Sequence, residues 1–140
     1  MDKKQVLKQL NLMRRNTLME TLDIRYTEIG ENYLVATMPV NQKVFQPMGL
    51  LHGGATAALA ESVGSTASHL FIDVENYEVR GIEITANHLK IKRSGLVTAT
   101  ANIIHKGKTN HLWEIRITDE AGDLVSFCKL TNIILAKKPD

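Results

Sequence analysis

Apolar and polar positions along the chain follow two periods, and each change from one to the other marks an element. Residues 3–19 place Val6, Leu10, Met13 and Thr17 at helical spacing, with Lys3, Lys4, Lys8, Arg14 and Arg15 mostly off that stripe. This predicts an amphipathic N-terminal helix. Leu22 to Tyr26 alternates with period two, Gly30-Glu31-Asn32 makes a turn, and Tyr33 to Val40 reads as a second strand that Pro39 weakens at its end. Residues 41–52 show no period and read as a loop. From about Gly54 to Phe71 the pattern is helical again. Four strands follow at about 78–91, 95–105, 110–118 and 124–135, with Ser94-Gly95 and Asp119-Glu-Ala-Gly-Asp123 as turns. Strands joined by short turns run antiparallel, so the last four read as a meander.

The second helix has an unusual composition. Of the 16 residues from Gly53 to Ser68, 13 are Gly, Ala, Ser or Thr. Small side chains let other backbone come close, so this helix is expected to be enclosed. A curved antiparallel sheet of about six strands wrapped around it is the economical packing, an α+β fold. The chain reads as one domain over residues 1–140, with a helix in 1–20 and the core in 22–135.

Composition narrows the function. At 140 residues, 44% hydrophobic and 23% charged, the chain can bury a core without disulfides or structural metal. Lys+Arg 17 against Asp+Glu 15 is too balanced for a dedicated nucleic-acid binder, though a small basic patch for one phosphorylated ligand fits. Cys128 is the single cysteine, which suits a reducing compartment. The start, Met1-Asp2-Lys3-Lys4-Gln5, lacks the apolar core of a signal peptide. The stretch from Leu50 to Ile72 contains His52, Glu61, His69 and many small polar residues, too polar for a membrane span. A cytoplasmic protein without nucleic-acid or membrane partners is expected.

Several motifs invite chemistry. Ala60-Glu-Ser62-Val-Gly64 nearly spells a hydrolase nucleophile elbow, but that device needs a strand-to-helix turn in a parallel sheet. Gly107-Lys108-Thr109 ends like a P-loop, yet Asn102 stands where its first glycine belongs and a strand follows. The five histidines (52, 69, 88, 105 and 111) show no metal-ligand spacing, so no metal site is expected. The remaining feature is Glu61, the only charged residue between positions 44 and 72. A carboxylate inside an enclosed helix is costly unless it is paired or used. Either its face reaches solvent or nearby serines, or it is a catalytic base or nucleophile whose pKa burial raises. Ser65 lies one turn on, on the same face. Just before the helix comes Gln46-Pro-Met-Gly-Leu-Leu-His52-Gly53-Gly54. Glycines at a helix start let a substrate approach unpaired N–H groups, a site for an oxyanion.

Together Gln46-Pro-x-Gly-x-x-His52-Gly53-Gly54 and Ala60-Glu61-Ser62 resemble the hotdog-fold acyl-CoA thioesterases that carry a catalytic Glu on the central helix. The resemblance runs from Leu22 to Leu135 and includes Thr37-Met-Pro-Val40, Gly81-Ile-Glu-Ile-Thr-Ala-Asn-His88, Trp113-Glu-Ile and the closing Leu130-Thr-Asn-Ile-Ile-Leu135. It is nearest the 1,4-dihydroxy-2-naphthoyl-CoA hydrolase group, which includes the aryl-carrier-protein thioesterase of enterobactin synthesis. Residues 69–78 and Met48 depart from that branch. The resemblance implies that Gly53 N–H polarises the thioester carbonyl, with Gln46 and His52 positioning it. It implies that Glu61 attacks or activates water, with Ser62 and Ser65 near the acyl group. It also implies hydrolysis of an aromatic or medium-chain acyl-CoA with no cofactor beyond the CoA of the substrate, a setting in menaquinone biosynthesis, and a homotetramer. CoA phosphates need cations, and the resemblance puts them at His88, Lys90 and Arg93, with Gly107 and Lys108 behind. The alternatives are a non-catalytic acyl-CoA-binding module and a dehydratase; the latter expects an Asp/His pair that is not seen.

Helix geometry adds one expectation. Gly53 and Glu61 are eight residues apart, roughly 12 Å along the axis. One carbonyl cannot reach both, since attack and polarisation each need contact within about 3–3.5 Å. Antiparallel helices in a two-fold homodimer can supply both, with Gln46, His52 and Gly53 from one subunit and Glu61, Ser62 and Ser65 from its partner.

Overall fold

The computed structural model describes residues 2–139; Met1 and Asp140, which the single-domain reading includes, lie outside them. The elements are α1 (Lys3–Leu12), α2 (Leu18–Thr21), β1 (Arg25–Ile29), β2 (Tyr33–Val40), a 3-10 turn (Gln42–Val44), α3 (Gly53–His69), β3 (Tyr77–His88), β4 (Gly95–Lys106), β5 (Asn110–Thr118) and β6 (Leu124–Ala136). The six strands form one antiparallel sheet in the order β1-β2-β4-β5-β6-β3, curved around α3. This is the α+β architecture expected.

Alternating side chains of the strands make the inner wall. Leu34, Ala36 and Met38 of β2, Val97, Ala99 and Ala101 of β4, Trp113, Ile115 and Ile117 of β5, and Cys128 and Leu130 of β6 are buried with Leu59, Ala60, Val63 and Ala67 of α3. Contact is close enough to explain the small residues. A β-carbon at Gly64 would stand 2.6 Å from a methyl of Leu130. Burial pushes the Cys128 thiol up to about 11, so it packs as an apolar group.

Five expectations are corrected. The N-terminal helix stops at Leu12, because Asn16 adopts a left-handed conformation (φ 61) and the chain restarts as α2. The first strand begins at Arg25 rather than Leu22, since Leu22 caps α2 and Asp23 is also left-handed (φ 55). The last four strands are not a meander. β4, β5 and β6 are, but β3 pairs with the far side of β6, and β4 pairs with β2. β3 ends at His88, and residues 89–94 cross the end of the sheet instead of making a tight turn. Leu89 and Lys90 N–H both donate to the Val125 carbonyl, and Leu51 N–H donates to the Lys92 carbonyl. Lastly, α3 is enclosed on one side only. Thr56, Leu59, Ala60, Val63, Gly64, Ala67 and Ser68 are buried, whereas the face with Ala58, Glu61, Ser62 and Ser65 remains partly exposed.

Candidate active site

Two cavities beside α3 hold most of the residues singled out in the sequence, while His52 lines a third, smaller one with Gly54, Ala55 and Ala58. The first, of about 320 Å³, lies at the N-terminus of α3 and is lined by Gln46, Leu51, Gly53, Thr56, His88 and Lys90, among others. The chain places a free donor there. Of the N–H groups that open the helix, that of His52 donates to the Val44 carbonyl, that of Gly54 to His52 Nδ1 at 2.7 Å, and that of Ala55 to the His52 carbonyl. Among the described residues Gly53 N–H has no acceptor. His52 is thus the helix cap. Because its Nδ1 accepts from Gly54, its neutral ring carries the proton on Nε2.

Gln46 and His88 line the same cavity as this donor. Gln46 Oε1 accepts from Met48 N–H, which leaves the side-chain NH₂ to point elsewhere. His88 lies over Gly53 so closely that a β-carbon there would stand 2.7 Å from Nε2, while Nδ1 is bonded to the buried Ser126 hydroxyl. This places His88, the last residue of β3, beside the N-terminus of α3 as well as at the start of the 89–94 crossover.

The second cavity, of about 470 Å³, is lined by Leu18, Met19, Ala58, Glu61, Ser62, Ser65, Thr66 and His69. Glu61 hangs over Gly81 of β3, where a β-carbon would stand 2.7 Å from Oε2. The register of β3 against β6 shifts between Gly81 and Glu83, so this glycine sits at a bulge that makes room for the carboxylate. Sequence reasoning missed Gly81. A glycine inside an alternating strand is itself the signal of a bulge or of close approach.

The cations are arranged differently from expectation. Lys90 Nζ binds both Asp119 and Asp123 at 2.7 Å, and Lys92 binds Glu120, so these lysines tie the 89–94 crossover to the β5–β6 turn. The two carboxylates hold the Lys90 ammonium well above its usual range. Arg93 is exposed and makes no ion pair among the described residues. Gly107 and Lys108 lie at the opposite end of β4, twelve residues away, which is over 30 Å at about 3.3 Å per residue. There they line a cavity of about 570 Å³ with Phe71, Tyr77 and His111. The two groups of cations therefore do not meet within one chain. Among the described residues, no group of three or more His, Cys, Asp or Glu is placed to hold a metal ion, and no helix is long and apolar enough to cross a membrane.

Comparison with known proteins shows the family. The family model of the Thioesterase superfamily matches residues 48–126. The 1,4-dihydroxy-2-naphthoyl-CoA hydrolase of Escherichia coli is 44% identical over 133 residues, covering 95% of this chain and 97% of that protein. The proofreading thioesterase EntH of Cronobacter turicensis is 41% identical, covering 92% and 93%. A crystal structure of a mutant of thioesterase PA1618 from Pseudomonas aeruginosa superposes with a TM-score of 0.92 at 43% identity, covering 94% of each chain.

Proposed function

The chain belongs to the thioesterase superfamily and is a thioester hydrolase, and from that premise we propose that it hydrolyses an aromatic or medium-chain acyl-CoA, of the 1,4-dihydroxy-2-naphthoyl-CoA kind, to the free acid and CoA. With the chain a thioester hydrolase, the binding-module alternative is set aside. The names of the relatives support the substrate class. So does the cavity at Glu61, whose walls at Leu18, Met19 and Ala58 are apolar and whose size suits a ring.

One observation carries the mechanism: the unpaired Gly53 N–H and the Glu61 carboxylate belong to one helix yet open into separate cavities. A site that uses both takes them from two copies of the chain. Gly53 N–H of one subunit polarises the thioester carbonyl, the Gln46 amide and His52 position it, and the partner subunit's Glu61 acts as base or nucleophile. Ser62 and Ser65 flank that carboxylate. β3 is the natural seam, since it is an edge strand of 12 residues with Ile82 exposed. A two-fold axis between Ile84 and Thr85 sets Gly81 against His88 of the partner subunit, which brings Glu61 to the partner's Gly53. The same pairing turns the partner's Gly107–Lys108 end toward Arg93 and His88, so that CoA phosphates lie between subunits. Pairs of such dimers form the tetramer.

Thiol release from a panel of aryl-CoAs, medium-chain acyl-CoAs and acetyl-CoA tests this reading. Turnover of aryl or medium-chain thioesters is expected, falling by about 10³ in Glu61→Ala, within the range general-base catalysis supplies. A preference for acetyl-CoA overturns the substrate, and an active Glu61→Ala overturns the site.

A further inference from the structure

Behind α3 lies a polar cluster that none of the roles above uses. Ser68 of α3, His111 of β5 and Asn132 of β6 are buried, together with the Trp113 indole. Ser68 Oγ stands at the centre, 2.7 Å from Trp113 Nε1, 2.8 Å from Asn132 Nδ2 and 2.9 Å from His111 Nδ1. A hydroxyl accepts two hydrogen bonds and donates one, whereas an indole or amide nitrogen only donates. Ser68 therefore accepts from Trp113 and Asn132 and donates to His111 Nδ1.

That leaves Asn132 one orientation. Its Nδ2 donates to Ser68 Oγ and to the Gly64 carbonyl at 3.3 Å. Turned over, the amide would set its own oxygen against the Gly64 oxygen and repel it. Asn132 Oδ1 therefore points to Ser65 Oγ, which donates to it at 3.4 Å. Ser65 itself lines the cavity with Glu61. This long contact turns the Ser65 hydrogen toward the protein interior and leaves its lone pairs for the cavity.

We propose that Asn132 is a positioning residue that fixes Ser65 as a hydrogen-bond acceptor, so that Ser65 and Glu61 together hold the attacking water by its two hydrogens. This rests on Glu61 acting as the base in the proposed reaction. One turn of helix separates the two acceptors, a spacing that one bound water bridges. Such a water directs its lone pair to the thioester carbon. Its oxygen bonds to that carbon as one proton passes to Glu61; the tetrahedral intermediate then expels the CoA thiolate, which takes the proton from Glu61. A freely rotating Ser65 would instead donate to the Glu61 carboxylate and displace the water from it.

A double-mutant cycle separates this role from simple packing. Ser65→Ala and Asn132→Leu are each expected to lower kcat per folded subunit by about tenfold with KM within about twofold, the signature of an interaction used in the transition state. The double variant is expected to be no slower than Ser65→Ala, since Asn132 acts only through Ser65. Should Asn132→Leu fail to fold, Asn132→Val, suited to a strand, takes its place. The proposal is overturned if Ser65→Ala keeps wild-type kcat, if either folded Asn132 variant does, or if the two losses multiply. Glu61→Ala measured alongside keeps the failures apart: if it is inactive while Asn132 variants are normal, only this inference falls, and if it is active, the reading of Glu61 falls first.

Discussion

The sheet ends in two different ways. At one edge β1 is five residues long, and α1 closes it. Asn11 donates to the Tyr26 carbonyl at 2.9 Å and accepts from the Tyr26 N–H at 2.8 Å, so one side chain occupies the pair of groups an incoming strand would use. At the other edge β3 is 12 residues long, and among the described residues no side chain bonds its backbone from outside. An open edge of that length is a template for a second chain, and proteins that do not use such edges cover them. The fold covers the β1 edge and leaves bare the one beside which the candidate site residues gather. Gly81 lies under Glu61 and His88 lies over Gly53, both on β3.

Breaking the open edge is expected to have the largest effect. Ile82→Lys sets like charges near the two-fold axis, and sedimentation should find monomers whose thiol release is at least about a hundredfold below wild type, since each monomer keeps half of two sites. A dimer of normal activity would refute the seam. Filling the bulge should cost less. Gly81→Ala puts a β-carbon 2.7 Å from Glu61 Oε2. The carboxylate, at the end of a flexible side chain, then shifts by about 1 Å, which is expected to lower kcat by about a hundredfold or less with the dimer intact. An unaffected kcat would show that Glu61 is not held where it works.

The closed edge should respond in the opposite manner. Asn11→Ala removes two hydrogen bonds and is expected to lower stability by about 1–2 kcal/mol in denaturant titration, with kcat unchanged. Loss of activity without loss of stability would give that edge a role it is not assigned here. The smallest effect lies between the edges and is read by pH. Burial, and then the charges of Lys106 and His105, hold the His111 pKa below its ordinary value. The unfolded chain therefore binds more protons at this residue as pH falls below about 6.5, so its contribution to stability is full above that pH and is lost on acidification. His111→Asn, which keeps an acceptor for Ser68, should flatten this acid limb of the melting temperature. An unchanged slope would place the titration elsewhere.

How far the sequence foretold this arrangement depends on the kind of signal. Period-two alternation located β2, β4, β5 and β6 within a residue or two, because inward and outward positions differ in polarity along each of them. It was blind to neighbour order. Alternation reports which face a side chain takes and not which strand lies beside it, so the sequence sets β3 next to β4 while the structure has it at the far edge. The break between α1 and α2 escaped because the left-handed turn at Asn16 interrupts a stripe whose spacing continues through it. Glu61 stood out by isolation and Gly53 by its place at a helix start. The pairing of Lys90 with Asp119 and Asp123, 29 and 33 residues away, had no local trace. Asn132 did leave one: it interrupts the inward series Cys128, Leu130, Ile134 of β6, where a buried polar residue must find partners.

The central claim is that each site is built from two chains, and mixing tests it without knowledge of the natural acyl group. Glu61→Ala subunits and Gln46→Ala/His52→Ala subunits, each inactive alone, are denatured together in equal amounts, refolded and assayed for thiol release. Half the dimers then carry both variants, and each of these holds one intact site, so about a quarter of wild-type activity should return. If mixed dimers form and the mixture stays as inactive as its components, the site lies within one chain and the account is wrong.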